Sequence, residues 1–381
     1  MKKLFFLILL FSWSIGVADS PEEETCLTFA ILPPFNECYE QTPFFSSASF
    51  IFWQGKMYGL DFAVVSEDPS FGFQNLGLSF NAKGHSPDFA WKPGAKIEFG
   101  YTFPYDGWDT LVGWTYFHDK LTDKRRSYSQ PTTPEGEGVY AIWDYPFFQN
   151  FNFFQSILYE NAHNYWNLVF NSWDWEWGRN FSVNDWLALR LHAGIKTGYL
   201  RQTYKVHYDT GTLLGPDINT LISTSLKFLS SDMISTNRFW GIGPRCGVDS
   251  KWKLGQGFHF IADSSFSLVP SFFHVRSNFN DLVIDLEDKL ASGLLPLQAK
   301  IRENFLDFIP VFQALLGVDW GMCFGQCSQF YMSLSAGYEV QYWWNVNQTR
   351  RGISAAVPGF QYNSHGDWKM QGLTGTINFE Y

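Results

Sequence analysis

The sequence predicts an all-β fold, and within that class a transmembrane antiparallel β-barrel of the bacterial outer membrane. Three observations lead to this prediction. The 381 residues are 45% hydrophobic, 19% aromatic and only 17% charged. Long stretches alternate strictly between apolar and polar residues, which is the period of a β-strand. Short turns alternate along the chain with long loops, as in outer-membrane barrels. A soluble β-sandwich is the alternative, but its strands are usually shorter.

The clearest element is a predicted hairpin over residues 172–199. Trp173, Trp175 and Trp177 alternate with polar residues before a turn at 180–185. After the turn, Leu187 to Ile195 alternate with polar and charged residues. Successive side chains of a strand leave opposite faces, so one face of this hairpin is apolar and the other is charged. Lipid outside and a polar lumen inside satisfy both faces.

Similar alternation predicts further strands along the chain. They cover Phe45–Gln54, Phe89–Phe103, Trp108–His118, Trp240–Trp252, Phe258–His274, Phe308–Met322, Phe330–Trp344 and Lys369–Tyr381. Short periplasmic turns are expected at 104–107, 180–185, 253–257 and 324–328, and long external loops at 119–138, 209–237, 278–304 and 346–367. About 12 strands fit this pattern, with roughly 10–16 allowed, and the number should be even. Within 278–304, leucines at 282, 286 and 290 fit an amphipathic helix better than a strand.

Three regions are expected along the chain. Residues 1–18 read as a signal peptide cleaved after Ala18, because Lys2 and Lys3 precede an apolar core and small residues. Residues 19–43 are interpreted as a periplasmic N-terminal segment, and residues 44–381 as the outer-membrane barrel. No later run of 18 apolar residues predicts a transmembrane helix.

The C-terminal residues form a predicted closing strand. Leu373, Ile377, Phe379 and Tyr381 alternate, and the chain ends on an aromatic residue. This pattern is expected of a signal for the barrel-assembly machinery, which is therefore a predicted partner. The closing strand should pair with the first strand, since an open edge in lipid leaves backbone groups unsatisfied.

The candidate functional residues are the charged side chains that alternation places on the inner face. They are Lys92, Lys96, Glu98, Asp174, Glu176, Arg190, His192, Lys196, Arg245, Asp249, Lys251, Asp263, Asp319 and Glu339. A charge on the lipid face would cost about 2–4 kcal/mol at mid-depth, so a lumen position is favoured. Acidic and basic groups facing one another across a water-filled pore would select small solutes. Alternatively, these residues form salt bridges that fill and block the lumen.

No catalytic or cofactor motif is present. The sequence lacks G-x-x-x-x-G-K, H-E-x-x-H and G-x-S-x-G. The chain is therefore not expected to be an enzyme or to hold a cofactor or metal. An outer-membrane lipase would need a Ser/His pair that the pattern does not provide. The net charge of −10 argues against nucleic acid as a partner.

The five cysteines are Cys26, Cys38, Cys246, Cys323 and Cys327. In an oxidising compartment Cys26 could pair with Cys38 and Cys323 with Cys327, which would leave Cys246 for intermolecular pairing. Free thiols are the alternative.

Several of these stretches resemble one family. The run from Ser49 to Ala63, the run from Trp91 to Phe103 with Gly107–Asp109, and the run from Trp177 to Lys196 are similar to strands of the major outer membrane protein-like porins of Legionella and the environmental chlamydiae. The resemblance covers most of the chain after residue 18. It implies an outer-membrane porin that is also a structural component of the envelope, in which cysteine cross-links can matter.

The sequence thus predicts a porin for passive diffusion of small hydrophilic solutes and ions, in contact with outer-membrane lipid and with a structural role in the envelope. The alternative is a non-conducting barrel that acts as a surface adhesin or structural protein. A homo-oligomer is common among such porins, but no residue in the sequence indicates one.

Overall fold

A computed structural model describes residues 44–66, 82–103, 107–126, 139–143, 156–214, 226–285, 294–324, 330–352 and 361–381. The expected signal peptide and the segment 19–43 lie outside these residues and stay predictions. No helix in the described ranges is long and apolar enough to cross a membrane.

The described residues form a single antiparallel sheet of thirteen strands. They are β1 (Phe44–Met57), β2 (Ala63–Ser66), β3 (Ala82–His85), β4 (Trp91–Thr102), β5 (Trp108–Arg126), β6 (Val139–Ala141), β7 (Ser156–Asn184), β8 (Leu187–Leu214), β9 (Leu226–Gly255), β10 (Phe258–Asp285), β11 (Leu294–Phe324), β12 (Phe330–Gly352) and β13 (Gln361–Glu380).

Ten long strands of this sheet close into a barrel. Their order is β7-β5-β4-β1-β13-β12-β11-β10-β9-β8, and β8 pairs with β7 to complete the ring. The three short strands form an extension in which β2 pairs with β3 and β6, and β6 pairs with β7. Closure gives every ring strand a partner on both sides, which backbone groups in lipid require. The predicted all-β antiparallel barrel is confirmed.

The first and last strands close the ring as the sequence predicts. β1 pairs with β13 over residues 45–57, with Ala48 opposite Ile377 and Ser46 opposite Phe379. The backbone groups of Phe44 and Tyr381 bond to each other in both directions, at 3.2 and 2.9 Å.

Short and long connections lie at opposite ends of the barrel. Short turns join β7 to β8 and β9 to β10, at the end that also holds Phe44 and Tyr381. The turn between β9 and β10 is Gln256–Gly257, and both residues have positive φ, 53° and 79°, as a tight hairpin turn requires. The long connections lie at the other end, which is therefore external.

The strands extend further at the external end than the sequence predicts. Most of the loop expected at 209–237 is β8 and β9, and most of the loop expected at 346–367 is β12 and β13. The helical reading of 278–304 is wrong for its described residues, since β10 continues to Asp285 and β11 begins at Leu294. Ladder pairing between these strands, such as Asn278 opposite Lys300, overrides the local helical spacing. The sequence also suggests a strand at 72–80, but these residues lie outside those that the structure describes.

Candidate functional site in the barrel interior

The two faces of the central hairpin have different surroundings. Trp173, Trp175 and Trp177 of β7 are 52%, 46% and 45% exposed on the outside of the barrel. Glu176 of β7 and His192 and Lys196 of β8 are buried on the inside. The inside and outside of the wall therefore follow the alternation in the sequence, and the charged residues lie in the lumen.

A layer of ion pairs, here called the charged layer, crosses the lumen. Arg190 of β8 is its centre. The Arg190 guanidinium donates to Asp109 on β5 at 2.7 Å, to Asp249 on β9 at 2.7 Å and to Glu176 on β7 at 3.2 Å. Gly178 leaves room for this guanidinium, because a Cβ there would lie 2.6 Å from Nε of Arg190.

Two further cations of the charged layer connect β7 to more distant strands. Lys196 donates to Asp174 at 2.8 Å and to Gln313 of β11 at 3.1 Å. Arg245 of β9 forms an ion pair with Glu176 at 2.8 Å, and it donates hydrogen bonds to Asp174 at 3.3 Å and to Gln313. Charge-assisted hydrogen bonds are strong in a low-dielectric interior. The layer therefore holds the strands of the ring together through the lumen.

The remaining predicted residues lie at the edges of this layer. Lys96 pairs with Glu339 at 3.1 Å, across three strand positions of the ring. Lys251 pairs with Asp319 at 3.0 Å, nearer the periplasmic end. Glu98 accepts a hydrogen bond from Ser47 at 2.8 Å. Asp263 lies opposite Asp249 in the sheet register.

The charged layer encloses a cavity of about 170 Å³. Its lining includes Glu98, Asp263 and Glu339. Lys92 faces inward opposite Trp53, outside this cavity, and has no ion pair among the described residues. That these side chains line a conducting pore stays a prediction.

Sequence reasoning missed Asp109 and Gln313, which complete the charged layer. Both stand next to outward aromatics, Trp108 and Phe312, so alternation alone would have placed them inside. Asp109 begins a strand beside a turn, and Gln313 is uncharged, so neither was selected as a charged lumen residue.

One group in this layer has the residue types of a metal site. Ligand atoms of Glu176, His192 and Asp249 lie within 4.8 Å of one another. Arg190 already bonds to both carboxylates, at 3.2 and 2.7 Å. A side-chain cation thus occupies the position that a metal ion would need, and the arrangement does not favour a metal.

On the external side of the charged layer the lumen is filled by aromatic side chains, here called the aromatic layer. The rings of Phe170 on β7 and Trp343 on β12 lie 5.3 Å apart. These strands are diametrically opposite, since four ring strands separate them in either direction. Trp343 also reaches the wall at β8, where a Cβ on Gly198 would lie 2.9 Å from its ring.

Most strands of the ring contribute a side chain to the aromatic layer. Its fully buried members also include Trp53, Phe117, Phe239, Phe273 and Trp368. The sequence predicted a polar lumen with the aromatic residues on the lipid face. The difference arises because a ten-stranded barrel is narrow enough for side chains to fill it, and because in Tyr342-Trp343-Trp344 aromatic residues occupy both faces.

A segment after β1, residues 58–66, folds into the external mouth; it is called the mouth segment below. Leu60 and Phe62 are buried there. Tyr204 and Tyr208 of β8 donate hydrogen bonds to the carbonyl oxygens of Leu60 and Phe62, both at 2.6 Å. Trp143 donates to the carbonyl oxygen of Asp61 at 2.6 Å. In the sequence, the alternation of Leu60, Phe62 and Val64 suggests a second strand of the wall, but the strand here is only Ala63–Ser66 (β2), which belongs to the extension.

The cysteine predictions are only partly within the structure. Cys246 of β9 is free and exposed on the outer face. Cys323 lies near the end of β11. Cys26, Cys38 and Cys327 lie outside the described residues, so neither predicted disulfide is tested.

Comparison with solved structures finds outer-membrane proteins of low similarity. The outer membrane protease OmpT of Escherichia coli is 11% identical, with a TM-score of 0.32, and the match covers 91% of this chain and 99% of that chain. A Pseudomonas aeruginosa FadL homologue is 9% identical, with a TM-score of 0.26 and coverage of 89% and 90%. The Pseudomonas putida toluene transporter TodX is 7% identical, with a TM-score of 0.21 and coverage of 89% and 89%. Scores this low carry no argument about this chain.

No curated protein matches the chain. A family model described as Legionella pneumophila major outer membrane protein precursor matches residues 38–381, which is nearly all of it. That span includes every strand of the barrel. The chain belongs to the Legionella major outer membrane protein family, and its barrel is an outer-membrane barrel.

Proposed function

We propose that this outer-membrane barrel is a structural component of the envelope whose resting lumen does not allow general diffusion. The observation that carries the proposal is the contact between Phe170 and Trp343 on opposite strands, 5.3 Å between ring centroids. A barrel whose opposite walls meet through their side chains leaves no continuous water column at that level. This is the alternative of a non-conducting barrel, in place of the open porin that the sequence favoured.

Two neighbouring levels support the same proposal. On the periplasmic side, Lys196 of β8 and Arg245 of β9 both bond to Gln313 of β11, so side chains from three wall strands meet inside the lumen. On the external side, Asn347 of β12 donates to the carbonyl oxygen of Tyr58 in the mouth segment at 2.9 Å. A solute would have to displace three separate sets of contacts to cross the barrel.

Conductance in planar bilayers tests this proposal. The wild-type protein should insert without the large steps of an open porin, whereas F170A/W343A should conduct because it removes the cross-lumen contact. W240A/F272A is the matched control. It removes a pair of stacked rings, 5.0 Å apart, from the outer face and should leave conductance unchanged. Large, steady wild-type channels would contradict the proposal.

One observation favours a second candidate, passive passage of ions and small hydrophilic solutes. The cavity of about 170 Å³ inside the charged layer is lined by acidic and basic side chains. Such a cavity suits small polar solutes if the aromatic layer and the mouth segment, on its external side, move. In that case the mouth segment would act as the gate.

A disulfide lock separates the two candidates. A63C/A141C should tie the mouth segment to β6, and through it to the wall at β7, because Ala63 and Ala141 are opposite each other in the sheet register, within reach of a disulfide. If the protein is a gated porin, oxidation should abolish solute uptake by proteoliposomes and reduction should restore it. If the barrel is closed, uptake should be absent in both states. Both candidate functions are compatible with delivery by the barrel-assembly machinery and with a homo-oligomeric state, which stay predictions.

A further inference from the structure

On the outer face of the barrel wall, an uncharged band ends on its external side in a row of large apolar residues. Tyr199, Trp240, Phe272 and Leu306 are opposite one another on β8, β9, β10 and β11. All are 42–50% exposed. From this row to the periplasmic turns, the outward positions of the four strands carry no charge in the described residues. The row therefore lies where an aromatic girdle meets the external interface.

Immediately above this row the same four strands carry a basic patch. It consists of Arg201, Arg238, His274, Arg276, Lys300 and Arg302, all exposed. Arg201, Arg238 and His274 are opposite one another, two residues beyond the apolar row. That is about 6.8 Å along a strand. The patch thus lies at the depth of the headgroups of the outer leaflet.

The patch places like charges directly opposite each other. Arg201 is the register partner of Arg238, and Arg276 is the partner of Arg302. Directly opposite like charges destabilise a sheet unless something neutralises them. No ion pair joins these arginines to an acidic side chain among the described residues. The acidic residue Asp232 lies on β9 nearer the external end than Arg238, and its carboxylate bonds to His207 at 2.7 Å.

We propose that the basic patch binds the phosphate groups of a phosphorylated lipid in the outer leaflet. Guanidinium groups match phosphate oxygens in geometry and charge, and two neighbouring pairs can hold a phosphate each. The apolar row below offers aromatic and aliphatic surface to the acyl chains of the same lipid. Headgroup binding at basic clusters beside a membrane follows the same physics. The site is on the outer wall and is independent of whether the lumen conducts.

Binding of lipid A to the protein in nanodiscs tests the proposal. The patch variant R238Q/R276Q/R302Q should bind bisphosphorylated lipid A at least ten times more weakly than wild type. The control K83Q/K120Q/K124Q removes the same charge from exposed lysines elsewhere and should bind like wild type. Dephosphorylated lipid A should bind wild type as weakly as lipid A binds the patch variant. If the triple variant does not fold, as judged by heat-dependent gel mobility, the single variant R276Q replaces it. This variant should show a smaller loss of lipid A binding.

Two results would overturn the proposal. One is equal binding of lipid A to wild type and patch variant. The other is displacement of lipid A from wild type by millimolar inorganic phosphate, which would make the patch a site for soluble anions instead of lipid.

Discussion

At the scale of single residues, the charged layer contains a cation, Lys196, whose side chain has no access to water. Lys196 is fully buried, and its ammonium bonds to Asp174 at 2.8 Å and lies 5.6 Å from the ring of Trp343. Burying an ion costs free energy that its partner must offset. Removing Lys196 leaves the Asp174 carboxylate with Arg245 alone, at 3.3 Å.

We therefore expect Lys196→Met to lower the free energy of unfolding by about 3 kcal/mol, near the lower end for breaking a buried ion pair. Urea unfolding in detergent micelles measures this change. Lys205→Met, on an exposed residue of the same strand, should change it by less than about 0.5 kcal/mol. The double variant K196M/D174N should lose less than the sum of its single variants. Additive losses would mean that Lys196 and Asp174 do not stabilise each other.

Outside the membrane-spanning part of β8, His207 lies eight residues beyond Tyr199 and is held by two carboxylates. Hydrogen bonding to Asp232 at 2.7 Å, with Asp209 at 2.6 Å, raises the pKa of His207 to about 9. The raised pKa means that this ion pair stabilises the fold fully below pH 6.5 and that the contribution is lost as the pH rises through 9.

In an NMR titration of the imidazole, the His207 midpoint should be near pH 9. Asp232→Asn should return the midpoint most of the way toward 6.5, since Asp232 is the largest cause of the shift. Asp209→Asn should lower it less. A wild-type midpoint near 6.5 would show that the two carboxylates do not hold the proton.

At the scale of elements, the closing strand decides whether a barrel forms. The last residues of β13 contact β1 through the pairs Phe379–Ser46 and Glu380–Phe45, and through the backbone bonds between Tyr381 and Phe44. Loss of these bonds opens an edge in lipid, where each unsatisfied group costs several kcal/mol.

Truncation after Asn378 should therefore block insertion and leave the chain in the periplasm. The control replaces residues 379–381 with alanine, which keeps the backbone bonds and removes only the side chains; it should reach the outer membrane in reduced amount. Fractionation of expressing cells measures both variants. A truncated chain at normal outer-membrane levels would show that this strand end is not needed for closure.

How far the sequence predicted these elements depends on what surrounds each one. The wall between Trp173 and Tyr199 follows directly from alternation, because lipid and lumen impose opposite demands on its two faces. External strand ends such as 278–285 lie beyond the apolar row, where neither face of the strand needs to be apolar. Their alternation of apolar and polar residues is therefore weak. Only pairing with β9 and β11 defines them as strand. The mouth segment was missed because its burial depends on Tyr204 and Tyr208, which lie 144 and 146 residues away from their partners in the sequence.

At the scale of the whole molecule, the ring encloses layers of different chemistry. The charged layer contains more acids than bases. Its acids are Glu98, Asp109, Asp174, Glu176, Asp249, Asp263, Asp319 and Glu339, and its bases are Lys96, Arg190, Lys196, Arg245 and Lys251. The aromatic layer separates this negative region from the external mouth, whereas the basic patch lies on the outer wall.

If the aromatic layer is removed, the charged layer becomes the selective part of the path. We expect channels of F170A/W343A to prefer cations, because negative walls raise the local concentration of cations and repel anions. Under a salt gradient the reversal potential should approach that of a cation channel. Adding E98Q, at an acid of the cavity lining for which no ion pair with a described residue is seen, should shift it toward zero. Lys83→Gln, on an exposed residue outside the lumen, should leave it unchanged. Anion preference in F170A/W343A would show that ions pass by a route other than the charged layer.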